Sequence, residues 1–209
     1  MTVSPQDKPI IGLAGGVGAG KSALAEELAR LGCAVVDADA IGHEVLREPD
    51  VREAVRSRWG DRVLGFDSEV DRSALGQIVF SDPTEMDALN EMVQARIRER
   101  AAEQIDSALR DPSVPAVVLD APILFEAGWD ELCTVCVFVG SPPEQRLQRV
   151  ADARGWDEQT WRSREKMQIP LDKKARSCQY RVENSSSVSH LRERARGLFQ
   201  KVVGSAGRF

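Results

Sequence analysis

Histidine and tyrosine are nearly missing: the 209 residues hold two of the first and one of the second. His43 and His190 lie far apart, so no pair stands at metal-ligand spacing and a histidine metal centre is excluded. Cysteine is sparse as well, at Cys33, Cys133, Cys136 and Cys178. Cys133 and Cys136 form a CxxC, but no second ligand pair follows at zinc-site spacing and Thr134 to Val139 reads as a buried strand. The four are therefore expected to be reduced thiols of a cytosolic protein, with Cys133 and Cys136 small apolar members of its core. No apolar run approaches the roughly 18–20 residues that cross a bilayer. The polar stretch Met1 to Lys8 lacks the apolar centre of a secretory signal. Aromatic residues are only 5% of the chain, and Trp59, Trp129, Trp156 and Trp161 are scattered like packing anchors rather than base-stacking platforms. A net charge of −5 argues against non-specific nucleic-acid binding, which needs clustered cations.

What remains is an ordinary folded composition, with 42% hydrophobic and 29% charged residues, enough for one large domain or one domain carrying insertions. Short apolar runs at Pro9–Ala14, Ala34–Val36, Ala116–Leu119, Val135–Val139 and Tyr180–Val182 predict strands. Helical spacing follows at Lys21–Leu31, at Glu85–Leu109, from Pro143 to about Arg149, and from about Ser189 to Val203. Strands alternating with helices predict an α/β fold with a mostly parallel sheet covered on both faces. Between Asp39 and Arg110 the chain is charged and helix-periodic, without strand signals. Internal repeats and low-complexity linkers are lacking, and Ser185 to Ser187 reads as a helix-capping turn. From Glu144 to Arg181 ten basic residues face six acidic ones, a cationic segment in an acidic chain. It predicts a local polyanion site, or a solvated helical face with internal ion pairs.

The clearest chemical signal is Gly15-Gly16-Val17-Gly18-Ala19-Gly20-Lys21-Ser22, which matches GxxxxGK(S/T) between a predicted strand and a predicted helix. Its glycines let backbone N–H groups close around a phosphate chain, and the helix adds the positive end of its dipole. Lys21 is placed to reach the β- and γ-phosphates of a nucleotide and Ser22 to ligate Mg²⁺. A lysine stands where the third glycine of GxGxxG would fall, which disfavours a dinucleotide site. Asp37-Ala38-Asp39 closes the second strand, at an edge that faces the ligand crevice in open α/β sheets. One carboxylate there suits water-mediated support of Mg²⁺ and the other deprotonation of an attacking hydroxyl; Asp39 as a helix cap is the plainer alternative. Asp120 ends the third predicted strand and is read either as a support of Mg²⁺ or as a cap. Pro122-Ile123-Leu124-Phe125-Glu126 reads as an apolar wall beside the strand ends or as core.

In order, Gly12–Ser22 (GLAGGVGAGKS), Asp37–Leu46 (DADAIGHEVL), Asp71–Pro83 (DRSALGQIVFSDP) and Leu119–Gly128 (LDAPILFEAG) resemble the motifs of the dephospho-CoA kinase family. Gln168–Leu171 and Glu183-Asn184-Ser185 are similar to that family's lid and last-strand signatures. The resemblance spans Ile10 to Phe199. It implies a P-loop kinase core with a three-layer, mostly parallel five-stranded sheet at 8–40, 114–142 and 179–209. It also implies a helical acceptor-binding insertion at 41–113 and a helical lid at 143–178. The implied reaction is ATP-dependent phosphorylation of the ribose 3′-hydroxyl of dephospho-CoA, the last step of coenzyme A synthesis. By matching position Asp39 resembles the general base, Asp37 its acidic neighbour, and Arg149 the lid arginine that closes on phosphates, with Arg154 a weaker match. Pro122, Leu124, Phe125 and Glu126 then belong with Asp37 and Asp39 to the acceptor's surroundings, and Ser22 with Asp37, through water, to the metal's. The chain departs from the family at Gln94-Ala95, where a His-Pro pair is usual, and at His43, where an arginine is common. The implied partners are ATP, Mg²⁺ and a small-molecule acceptor in the cytoplasm, with no nucleic acid or membrane, for a monomer or weak oligomer. The rival readings are another P-loop kinase of nucleoside monophosphates or small alcohols, a GTPase-type switch, which wants an NKxD element this chain lacks, and a nucleic-acid-dependent ATPase, disfavoured by size and acidity.

Overall fold

The computed structural model describes residues 8–206; most of the polar leader read at Met1 to Lys8, and the last three residues of the expected core, fall outside them. Two compact units result, one of residues 8–37 with 104–206 and the other of Ala38–Glu103.

In the first unit five strands form one sheet: β1 (Ile10–Gly15), β2 (Ala34–Asp37), β3 (Val117–Asp120), β4 (Val135–Gly140) and β5 (Tyr180–Glu183). Their order is β2-β3-β1-β4-β5, and every neighbouring pair is parallel. The segments are near-continuous apolar runs, as parallel strands covered on both faces require. Alternate residues Ile11, Leu13, Val118, Val137, Val139 and Val182 pack with Leu24 and Leu28 of α1 (Lys21–Ala29) and with Leu191, Ala195 and Leu198 of α9 (Val188–Ala206). The other face is close at Gly12, where an added Cβ would lie 2.6 Å from Cys133 Sγ and 3.1 Å from Leu124 Cδ2. Ser187 receives the His190 N–H at the start of α9, in the manner of a cap.

The cationic segment folds as α6 (Pro143–Arg154), α7 (Glu158–Lys166) and α8 (Leu171–Ser177). Helix α6 outruns its expected end near Arg149 because Val150 supplies a further buried contact, and the chain turns only at Gly155, whose φ of +67° suits the left-handed cap.

The second unit is helical: α2 (Ala38–Val45), α3 (Pro49–Trp59), α4 (Arg72–Val79) and most of α5 (Pro83–Arg110), with a turn at 64–70 closed by a Leu64–Val70 bridge. Its core gathers Ile41, Val45, Val55, Leu75, Val93 and Ile97. Arg96 pairs with Glu48 and Asp50, and Arg100 with Glu44 and Glu48. Ala95 keeps its N–H for the helix ladder, and α5 runs 28 residues without interruption.

Candidate active site

Strand β1 delivers the glycine-rich loop at the carboxyl edge of the sheet. Gly18 and Gly20 have φ of +80° and +87°, a region costly for any side chain. Space forbids side chains too: a Cβ at Gly18 would strike the Arg146 carbonyl, and one at Gly20 the Asn184 amide. The loop curls through Ala19 N–H to the Gly16 carbonyl (3.1 Å) and enters α1 through Leu24 N–H to Gly20 (3.1 Å). Lys21 Nζ donates to the Gly15 carbonyl at 3.4 Å, folding its ammonium back over the loop, while Ser22 is exposed in the first turn of α1.

Several side chains grip this loop from outside. Asn184, 8% exposed at the end of β5, donates its amide to the Ala19 carbonyl at 2.9 Å. Arg149 on α6 donates to the carbonyls of Gly18 (3.3 Å), Ala19 (3.3 Å) and Asn184 (2.8 Å) and to Ser141 Oγ (2.9 Å). Burial holds the guanidinium pKa below its ordinary value. Arg146, 4% exposed, pairs with Glu165 and lies 5.0 Å from the Trp161 ring, whose Nε1 donates to Val17. Carbonyls turned outward to these donors leave the loop's N–H groups for an anion inside.

Register aligns the acidic strand ends: Asp37 stands opposite Asp120, and Asp120 opposite Leu13, two residues before the loop. Asp120 is 7% exposed. Helix α2 begins directly after Asp37, which puts Asp39 in its first turn, beyond the capping position. Of the wall at 122–126, Leu124 is core, 1% exposed, whereas Pro122, Phe125 and Glu126 are half-buried. Glu126 accepts the Ile169 N–H at 2.8 Å and the Lys174 ammonium at 2.7 Å. Arg154 lies 4.9 Å from the Trp156 ring. Of the cationic surplus, Arg146, Arg162, Lys174, Arg176 and Arg181 are engaged in ion pairs.

A family model described as dephospho-CoA kinase matches residues 9–190. The chain belongs to the dephospho-CoA kinase family. A dephospho-CoA kinase of Syntrophotalea carbinolica is 36% identical over 196 residues, covering 93% of this chain and 92% of that protein. That of Symbiobacterium thermophilum is 34% identical over 199 residues, covering 95% and 83%. The crystal structure of TT1252 from Thermus thermophilus matches with a TM-score of 0.78 at 31% identity, over 93% of this chain and 98% of that one. A dephospho-CoA kinase from Campylobacter jejuni matches at a TM-score of 0.64 and 20% identity, over 94% and 98%, a likeness of fold. Membership makes this an ATP-using kinase. Among the described residues no helix is long and apolar enough to cross a membrane.

Sequence reasoning missed Arg146, Trp161 and Lys174 as parts of this kinase's site support. Arg146 and Lys174 entered only a count of cations; their acidic partners are distant in sequence, so no local spacing marks them.

Proposed function

We propose that this kinase transfers the γ-phosphoryl group of ATP to the ribose 3′-hydroxyl of dephospho-CoA, giving coenzyme A and ADP in the cytoplasm. Family membership supports the choice of acceptor. The observation that carries the chemistry is the outward anchoring of the Gly18 and Ala19 carbonyls by Arg149 and Asn184, which shapes the loop for a phosphate chain.

The loop N–H groups and Lys21 bind the triphosphate. The donors near it, the Ser22 hydroxyl and the strand-end carboxylate Asp37, are hard oxygens that suit Mg²⁺, Asp37 through water. Bound there, Mg²⁺ would neutralise charge on the phosphates. Asp39 accepts the 3′-hydroxyl proton as the ribose oxygen bonds to the γ-phosphorus and the bond to the ADP oxygen breaks. Arg149 adds positive charge where negative charge builds on the moving group. Pro122, Phe125 and Glu126 bound the acceptor, with Glu126 held by Lys174 and Ile169. The lid excludes water, whose attack would waste ATP.

Mass spectrometry of dephospho-CoA incubated with Mg·ATP and enzyme tests the reading. CoA, 80 Da heavier than the acceptor by one phosphoryl group (about HPO₃, as the transfer requires), is expected from wild type. ADP formed without CoA would contradict it.

A further inference from the structure

The helical unit contains a cavity of about 410 Å³ between the end of α2, the turn at 64–70 and the start of α4. Its charged and titratable lining consists of His43, Arg47, Asp67, Glu69, Asp71 and Arg72. Each of the three carboxylates has at least one partner within the unit. Asp71 caps α4, accepting from Ser73 N–H (2.9 Å) and Ala74 N–H (3.1 Å). Glu69 pairs with Arg52 at 2.7 Å through one oxygen, while its other oxygen is buried with no hydrogen-bond partner among the described residues. Asp67 accepts the Glu69 N–H at 3.1 Å and so closes the turn. The two arginines are in the opposite condition: neither the Arg47 nor the Arg72 guanidinium has a hydrogen bond or ion pair among the described residues. Two planar, fully charged forks at one cavity, with the local acids already engaged, form a receptor for a doubly charged phosphate group.

The position of that receptor along α2 matters. Asp39 and His43 lie four residues apart on one face of α2, and Arg47 follows four residues later in the turn that ends it. Past Val45 the chain leaves α2 in a hydrogen-bonded turn, Leu46 N–H to the Gly42 carbonyl and Arg47 N–H to the Glu44 carbonyl. At the usual rise, Arg47 lies about 12 Å along the axis from Asp39, and its long side chain leans back toward the N-terminus. In dephospho-CoA, one ribose and its 5′-methylene separate the reacting 3′-hydroxyl from the pyrophosphate. A hydroxyl held at Asp39 therefore brings the pyrophosphate over the later turns of α2.

We propose that Arg47 and Arg72 form the subsite for the pyrophosphate of the acceptor and set the reach of its ribose to Asp39. The proposal rests on the reading of the acceptor as dephospho-CoA. Its test compares dephospho-CoA with adenosine, which keeps the 3′-hydroxyl and lacks the pyrophosphate. Arg47→Ala and Arg72→Ala should each raise KM for dephospho-CoA about tenfold. KM for adenosine and for ATP should move far less, and Arg47→Lys and Arg72→Lys should recover part of the loss. Alanine variants whose KM for dephospho-CoA stays within about twofold of wild type overturn the subsite. Equal losses with dephospho-CoA and adenosine overturn it as well, since they report damage to the whole unit. A wild-type enzyme that turns over neither acceptor overturns the kinase reading itself, and the subsite with it.

Discussion

Lys174, 2% exposed, holds its ammonium 2.7 Å from Glu126 Oε1, and so ties α8 to the segment that follows β3. The same ammonium donates to Gln168 at 2.9 Å, and the same carboxylate oxygen receives the Ile169 N–H. One buried charge thus joins two motifs more than forty residues apart.

Removing half of that pair should be costly. Lys174→Met leaves Glu126 charged and enclosed and is expected to lose about 3–5 kcal/mol of unfolding free energy. Adding Glu126→Gln should recover much of it. Urea unfolding of the single and double variants measures both terms.

Two glycines should respond in opposite directions to alanine. Gly20 combines a φ of +87° with the Asn184 amide in the space a Cβ would take, so Gly20→Ala should weaken ATP binding by more than about tenfold. Gly197 sits inside α9 with nothing within 4 Å of an added Cβ. Gly197→Ala should therefore raise stability by about 0.5–1 kcal/mol. Nucleotide titration and thermal melting read the two effects.

Acid should unfold the protein through carboxylates held below their ordinary range. Hydrogen bonding from Arg192 lowers Glu27, from Arg96 lowers Asp50, and from Arg58 lowers Glu85. A group with a depressed folded pKa stabilises the fold above its unfolded pKa, and that contribution is lost as pH falls through the folded value. The ordinary values are 4.5 for Glu27 and Glu85 and 3.8 for Asp50. The melting temperature should thus be flat near neutrality with respect to these groups and fall below that range. Glu27→Gln should lower the neutral plateau and flatten the acid limb.

The thiols offer a check on packing. Burial pushes Cys33 up to about 11, and burial together with the nearby Cys136 pushes Cys178 up to about 12. Cys33 and Cys178 should resist a disulfide reagent at pH 8 in the native state and react at once in denaturant. Rapid native labelling of either, located by peptide mapping, would contradict the described packing.

The strands were legible because parallel strands covered on both faces leave apolar runs, and the loop because its glycines and lysine recur at fixed spacing. Boundaries slipped by a residue or a turn wherever a cap decided them, as at Gly155. The CxxC reading as core describes Cys136, which is buried, better than Cys133, which is half-buried and donates its thiol to the Trp129 carbonyl. The grip on the loop was harder to read. Arg146 meets Glu165 through a turn between two helices, and Lys174 meets Glu126 across 48 positions; pairing at such distance leaves no periodic trace. The arginine pair at the helical cavity was equally hidden, since Arg47 and Arg72 become neighbours only once the 64–70 turn folds.

In the proposed reaction Asp39 readies the acceptor hydroxyl while the loop holds ATP independently. Both roles are read together by kcat for CoA formation and the ATP dissociation constant in Asp39→Asn. A fall in kcat of about 10²–10⁴-fold is expected, with ATP affinity close to wild type. Turnover near the wild-type rate would contradict it and leave Asp39 as a residue that merely favours the start of α2.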